Sequence, residues 1–148
     1  MIAISPITPL NAFAFKAVRL RALQDSPHAF GSTYEKESQF AEPEWLARAE
    51  RMNGERGIGF LAIDGETGCG IVGCFLDQHD PTRAQLVSMW TAPTHRRQGV
   101  GRLLLAALLA PVTKLSSKSY QFSPTKVEAQ CIRQKYIPCD IHSEPIRF

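Results

Sequence analysis

The chain has 148 residues, 44% of them hydrophobic, with 17 Lys and Arg against 14 Asp and Glu for a formal net charge of +3. That is enough apolar content for one compact core and too little length for two, and so small a basic excess makes no Lys/Arg stripe, so no nucleic-acid partner is expected. The longest apolar run, Leu103 to Pro111, is about half of the roughly 20 residues that span a bilayer, and no basic segment ahead of an apolar one opens the chain, so the protein is expected to be cytoplasmic with no membrane partner.

In chain order, Ile2-Ala3-Ile4 reads as a short strand, and Thr8-Pro9 as the cap and first-turn proline of a helix running to Gln24. The spacing puts Phe13, Ala17, Leu20 and Leu23 on its inward stripe and Lys16, Arg19 and Arg21 toward solvent or the stripe's margin. Asp25-Ser26-Pro27 ends it, and a Gly31-Ser32-Thr33 loop leads to a second helix near Glu42 to Met52, begun by Pro43 and anchored by Trp45. Gly57 to Asp64 reads as a strand and Gly65 to Gly68 as a turn. Gly70 to Leu76 is a further strand whose glycines suggest a bulge or a close backbone approach. After the turn Asp80-Pro81-Thr82, Gln85 to Thr91 completes an antiparallel meander. The four cysteines, Cys69, Cys74, Cys131 and Cys139, form no Cys-x-x-Cys pair and have no histidine at zinc-finger spacing, so free thiols and no metal are expected.

His95-Arg96-Arg97-Gln98-Gly99-Val100-Gly101-Arg102 then joins that strand to a helical run from Leu103. Gly99 and Gly101 let the backbone turn tightly, and the first N–H groups of the helix have no intrahelical partners, so phosphate oxygens can take them at the positive end of the helix dipole. Arg96, Arg97 and Arg102 add charge-assisted donors suited to a ligand with several phosphate charges. No Gly-x-x-x-x-Gly-Lys-Ser/Thr occurs, and the third glycine and downstream acid of a dinucleotide fingerprint are missing. The alternative is a solvated basic turn.

Arg96-Arg97-Gln98-Gly99-Val100-Gly101 resembles the Arg/Gln-x-x-Gly-x-Gly/Ala element with which GNAT acetyltransferases hold the pyrophosphate of acetyl-CoA, and Thr91-Ala92-Pro93 looks like the end of the preceding strand. Phe15 to Leu23 and Asp25 to Tyr34 are similar to the first helix and acceptor loop of one GNAT subgroup. The resemblance implies an α+β fold, a mixed, mostly antiparallel twisted sheet flanked by helices, with residues 1–110 as the acetyl-CoA-binding core. It implies cofactor contacts from Met89, Trp90, Thr91, Arg96, Arg97, Gln98, Gly99, Val100, Gly101 and Arg102. It also implies acetyl transfer to a primary amine of a small molecule or peptide by direct attack in a ternary complex, with the backbone N–H of Met89 or Trp90 taking the carbonyl oxygen.

Two features depart from the family pattern. Gln85 stands where several members place a glutamate and cannot accept a proton, which leaves the base open: Glu35 and Glu37 read either as the base, directly or through water, or as solvated carboxylates. Residues 111–148 contain no glycine and no Asn-x-x-Ala-x-x-x-Tyr element, so they read as an atypical C-terminal segment of the same domain, as though a different sequence had been joined on. An altered reading frame would produce this, and resequencing the coding DNA tests it. Pro111 is expected to stop the preceding helix near Ala110. Thr125 to Tyr136 has a capping box and helical spacing, flanked by edge strands at Ser119 to Phe122 and Ile141 to Phe148. Tyr136 is the candidate acid for the leaving thiolate. His95 and His28 read as solvent-facing, with a 3′-phosphate contact as the alternative for His95. Tyr34 and Trp90 read either as core or as acceptor-pocket walls. An incomplete last third would expose sheet edges and invite a homodimer. The reading from a different class is an acyl-CoA-binding protein with little or no turnover, and a third is an interaction module that binds no cofactor.

Overall fold

The structure, a computed structural model, describes residues 1–54, 56–76, 79 and 84–116. Four strands, β1 (Ile2–Pro6), β2 (Gly57–Asp64), β3 (Thr67–Leu76) and β4 (Ala84–Thr91), form one sheet in the order β1-β2-β3-β4, each pair antiparallel. The helices are α1 (Ala12–Asp25), the single turn α2 (Tyr34–Glu37), α3 (Glu42–Arg51) and α4 (Val100–Ser116). This is the α+β sheet flanked by helices that the sequence implies.

Thr8 caps as expected, its hydroxyl accepting from the Leu10 N–H at 3.2 Å while Asn11 Oδ1 accepts from the Thr8 N–H at 2.8 Å. The cap serves a short 3-10 turn, Pro9–Asn11, and α1 begins after it. Its phase differs from the expected one. Ala12, Phe15, Val18, Arg19, Ala22 and Leu23 point inward, whereas Phe13 is 85% exposed and Ala17 is exposed. Alternating apolar residues at 13, 15, 17, 18 and 20 support two helix phases, and the one that sets Phe15 edge-on to Trp45 (centroids 5.6 Å apart) wins, carrying Arg19 inside with it.

The sheet is a middle layer. A Cβ on Gly70 would meet Leu104 and Val100 of α4 at 3.0 and 3.1 Å, while one on Gly73 would meet Met52, just after α3, at 2.9 Å. Three residues apart on a strand means opposite faces, so α4 covers one face and α1 with α3 the other. The glycines are the close backbone approaches that the sequence suggested. Ile7, Phe15, Val18, Leu61, Ile71, Val72, Val100, Leu104 and Leu108 fill the two interiors, each at most 1% exposed.

Pro111 does not end the last helix: α4 continues to Ser116. Proline removes one i→i−4 bond, and the helix carries on through that single gap. The Asp80-Pro81-Thr82 turn, the late helix and edge strands, Cys131, Cys139 and Tyr136 lie outside the described residues. Among the described residues no helix is long and apolar enough to cross a membrane, and no three His, Cys, Asp or Glu side chains gather as a metal-binding group. Cys69 and Cys74 are free and buried, and burial pushes the Cys74 thiol up to about 11.

Candidate active site

Strand β4 carries two irregularities that organise everything around it. Its pairing with β3 slips between Ile71 and Gly73, so that Ser88 and Met89 together face Val72 as a bulge, and Ser88 sits at φ 58°. Serine rarely adopts that conformation unpaid, and here its hydroxyl accepts from Arg19 Nη1 at 2.7 Å. Three residues on, Thr91 closes the strand, and Ala92 donates to the Cys69 carbonyl at 2.8 Å.

The loop beyond turns at Gly99 as expected but not at Gly101, which is an ordinary residue of α4. Arg97 (φ 62°) and Gly99 (φ 79°) both take left-handed backbone, and the space where a Gly99 Cβ would stand has nothing within 4 Å. The Leu103 N–H donates to the Gly99 carbonyl at 3.0 Å; the amides of Val100, Gly101 and Arg102 before it make no hydrogen bond among the described residues. Thr91, 1% exposed, has a buried hydroxyl with no partner among the described residues. The open space at Gly99 and three orphan donors at a helix N-terminus suit a multiply charged phosphate ligand.

The three loop arginines divide the work. Arg97 and Arg102 are exposed. Arg96 instead turns back, donating from Nε to the Thr91 carbonyl at 3.1 Å and from Nη2 to Asp25 Oδ2 at 2.7 Å. That same carboxylate oxygen accepts from Trp90 Nε1 at 2.9 Å and from Ser26 Oγ at 2.7 Å. Burial pushes Asp25 up, but the hydrogen bonds from Trp90, Ser26 and Arg96 and the Arg96 charge outweigh it and hold the carboxyl below its ordinary range. Gln98 donates to the Thr94 carbonyl at 3.1 Å, and His95 is held between Thr94 (2.8 Å) and Asp64 (3.1 Å) rather than facing solvent freely.

On the other side of the bulge lies an open cavity of about 1360 Å³, lined by the C-terminal end of α1, the 26–32 loop, α2, α3 and residues 85–88 of β4. Its wall contains a buried ionic cluster that the helical reading missed. Glu37, 1% exposed, accepts from Arg19 Nε and Nη2 at 3.0 and 2.8 Å, and faces Arg48 at 3.2 Å. Burial raises the Glu37 pKa; the bonds and charge of Arg19, with Arg48 behind, overcome that and leave it lowered. Arg19 also lies 4.6 Å over the Phe30 ring and Arg48 over Phe40 and Trp45 at 5.3 and 5.2 Å. A sign was available in the sequence: Arg19 stands four residues from both Phe15 and Leu23, and a cation on an apolar face needs a partner.

Of the candidate residues, Met89 and Trp90 are buried, at 6% and 3% exposure, between the cradle and the cavity. Glu35 is exposed on α2 and does not line the cavity; Glu37, two residues on, does. Gln85 borders the cavity and His28 stands exposed along it, whereas Tyr34 and Trp90 do not line it.

The acetyltransferase (GNAT) family model matches residues 19–119. No curated protein matches the chain in sequence. Among solved structures, the fold is similar to PaiA N-acetyltransferase from Thermoplasma acidophilum in complex with coenzyme A (TM-score 0.63, 14% identity, 78% of this chain and 74% of that one). It is also similar to a GCN5-related N-acetyltransferase from Ralstonia eutropha JMP134 (TM-score 0.58, 14% identity, 99% of each chain). A third is the AAC(6')-Iy structure in complex with the bisubstrate analogue CoA-S-monomethyl-acetylneamine (TM-score 0.59, 15% identity, 100% of this chain and 96% of that one). With more than half of its length matched, the chain belongs to the GNAT acetyltransferase family.

Proposed function

We propose that the protein is an N-acetyltransferase that moves the acetyl group of acetyl-CoA to a primary amine of a small molecule or peptide within a ternary complex. The observation that carries this is the position of β4: the cavity ends on it at Ser88 and the loop leaves it at Thr91, so both substrates reach one strand about 10 Å apart at ~3.3 Å per residue. Met89 and Trp90 lie in that interval.

The residues present fit the cofactor. Gly99, Val100, Gly101 and Arg102 offer backbone donors for the diphosphate, Arg97 and Arg102 screen its charge, and Arg96 holds the loop to α1 through Asp25. When bound, acetyl-CoA supplies the activated acyl group. The backbone N–H of Met89 or Trp90 would be the donor for its carbonyl oxygen. Gln98 keeps the turn closed through Thr94.

An amine must lose its proton before attack, and its ordinary pKa is about 8 for an α-amino group and about 10.4 for lysine. Asp25 and Glu37 both border the cavity, but each is committed to arginine and held below its ordinary range, which makes it a poor base. The proton therefore leaves through water in the open cavity, and a part for Glu35 runs through the same solvent.

Release of free thiol from acetyl-CoA, followed across a panel of amines, tests the proposal. Amine-dependent release is expected. Saturable binding of acetyl-CoA with no amine-dependent release would replace the enzyme with an acyl-CoA-binding protein.

A further inference from the structure

The charges around the acceptor cavity do not balance. Asp25 is neutralised by Arg96 from outside the cavity (2.7 Å), and Glu44 pairs with Arg51 at 3.7 Å along the wall. What remains among the described lining residues is Arg19, Arg48 and Lys36 against the single carboxylate of Glu37. That carboxylate already receives two bonds from Arg19, so Arg48 shares an acceptor that is in use. Lys36 makes no ion pair among the described residues and is exposed at the same wall. Part of this excess is screened by little water, because the Arg19 and Arg48 side chains are only 8% and 20% exposed. The same cavity is lined by the apolar rings of Phe30, Phe40 and Phe75.

Building on the acetyl transfer proposed above, we infer that the acceptor is an amine that also carries a carboxylate on an apolar body, such as an apolar amino acid or short peptide. The carboxylate sits toward Arg48 and Lys36, the apolar body lies on the phenylalanines, and the amine turns toward the bulge of β4. A polycationic acceptor of the aminoglycoside type meets like charge at the wall and is disfavoured.

The test compares the dipeptide Leu-Phe with its C-terminal amide, using the intact protein and thiol release from acetyl-CoA. The two have closely similar amino groups and differ at the carboxylate. The free acid is expected to show kcat/KM about tenfold higher, the size of one charge-assisted hydrogen-bonded contact. Lys36→Glu, a surface change that spares the buried cluster, and Arg48→Gln should each shrink that acid-to-amide ratio. Equal turnover of acid and amide, or preferred turnover of neamine, overturns the inference while acetyl transfer stands. Preferred turnover of phosphoethanolamine overturns the choice of carboxylate. No thiol release from any amine removes the acetyl transfer and this inference together.

Discussion

The proposed cofactor cradle and the proposed acceptor wall are made in opposite ways. The cradle is backbone: adjacent residues from Arg96 to Arg102, two of them at positive φ, ending in a helix whose first amides are unspent. The wall is side chains: Arg19, Glu37, Arg48 and Ser88 come from three helices and a strand, and the Arg19–Ser88 bond alone closes a separation of 69 residues. A backbone site tolerates many side chains and depends on a few glycines, whereas a side-chain site fails when any one partner is removed. The same fold can therefore keep one cosubstrate and change the other.

The sharpest way to break the comparison is Gly99→Val. At φ 79° a β-branched residue costs on the order of 1–3 kcal/mol of backbone strain, although nothing stands in its way sterically. The thermal shift produced by acetyl-CoA is expected to vanish while the protein stays folded; an undiminished shift would place the cofactor elsewhere. On the wall, Glu37→Gln leaves the buried Arg19 and the half-buried Arg48 without an anion and should cost about 3 kcal/mol, read as a fall of roughly 10 °C in Tm. A change under about 2 °C would mean that the cluster contributes little to folding.

Asp25→Asn tests the seam between the two regions. It weakens the hold on Arg96 and Trp90 at once, so acetyl-CoA affinity is expected to drop about five- to tenfold by titration, in line with about 1–1.4 kcal/mol for a partly exposed charge-assisted contact. Unaltered affinity would show that the loop holds its shape unaided. The smallest effect is in pH. Glu37 and Asp25 have lowered folded-state values against ordinary ones of 4.5 and 3.8, so their contribution is complete above those values and is lost as pH falls through the lower folded-state ones. The Tm gap between the natural protein and Glu37→Gln should be constant from about pH 7 to about pH 5.5 and close progressively below about pH 4.5. A gap that does not narrow at all below about pH 4.5 contradicts the ionic reading.

What could be read in advance follows the same division. The single strands of the meander, the Thr8 cap, the end of α1 at Asp25 and the turn at Gly99 are local, each written in neighbouring residues. The burial of Arg19 is not written in its own helix, because its partner Glu37 lies 18 residues away on another helix and pattern alone treats an arginine as polar. Phe13 and Phe15 compete for one inward position, and the choice belongs to Trp45, which the spacing of α1 does not contain. Pro111 reads as a stop, yet a single missing amide leaves α4 continuous to Ser116.

One oxygen atom, Asp25 Oδ2, receives the indole of β4, the guanidinium of the loop and the hydroxyl of Ser26. Energies at the two ends of the reaction are consequently not separable: changes to Trp90 and to Arg96 share a keystone, and their combined effect should fall short of the sum of the separate ones. Redesign aimed at a new acceptor through the end of α1 will retune cosubstrate affinity whether or not that is wanted.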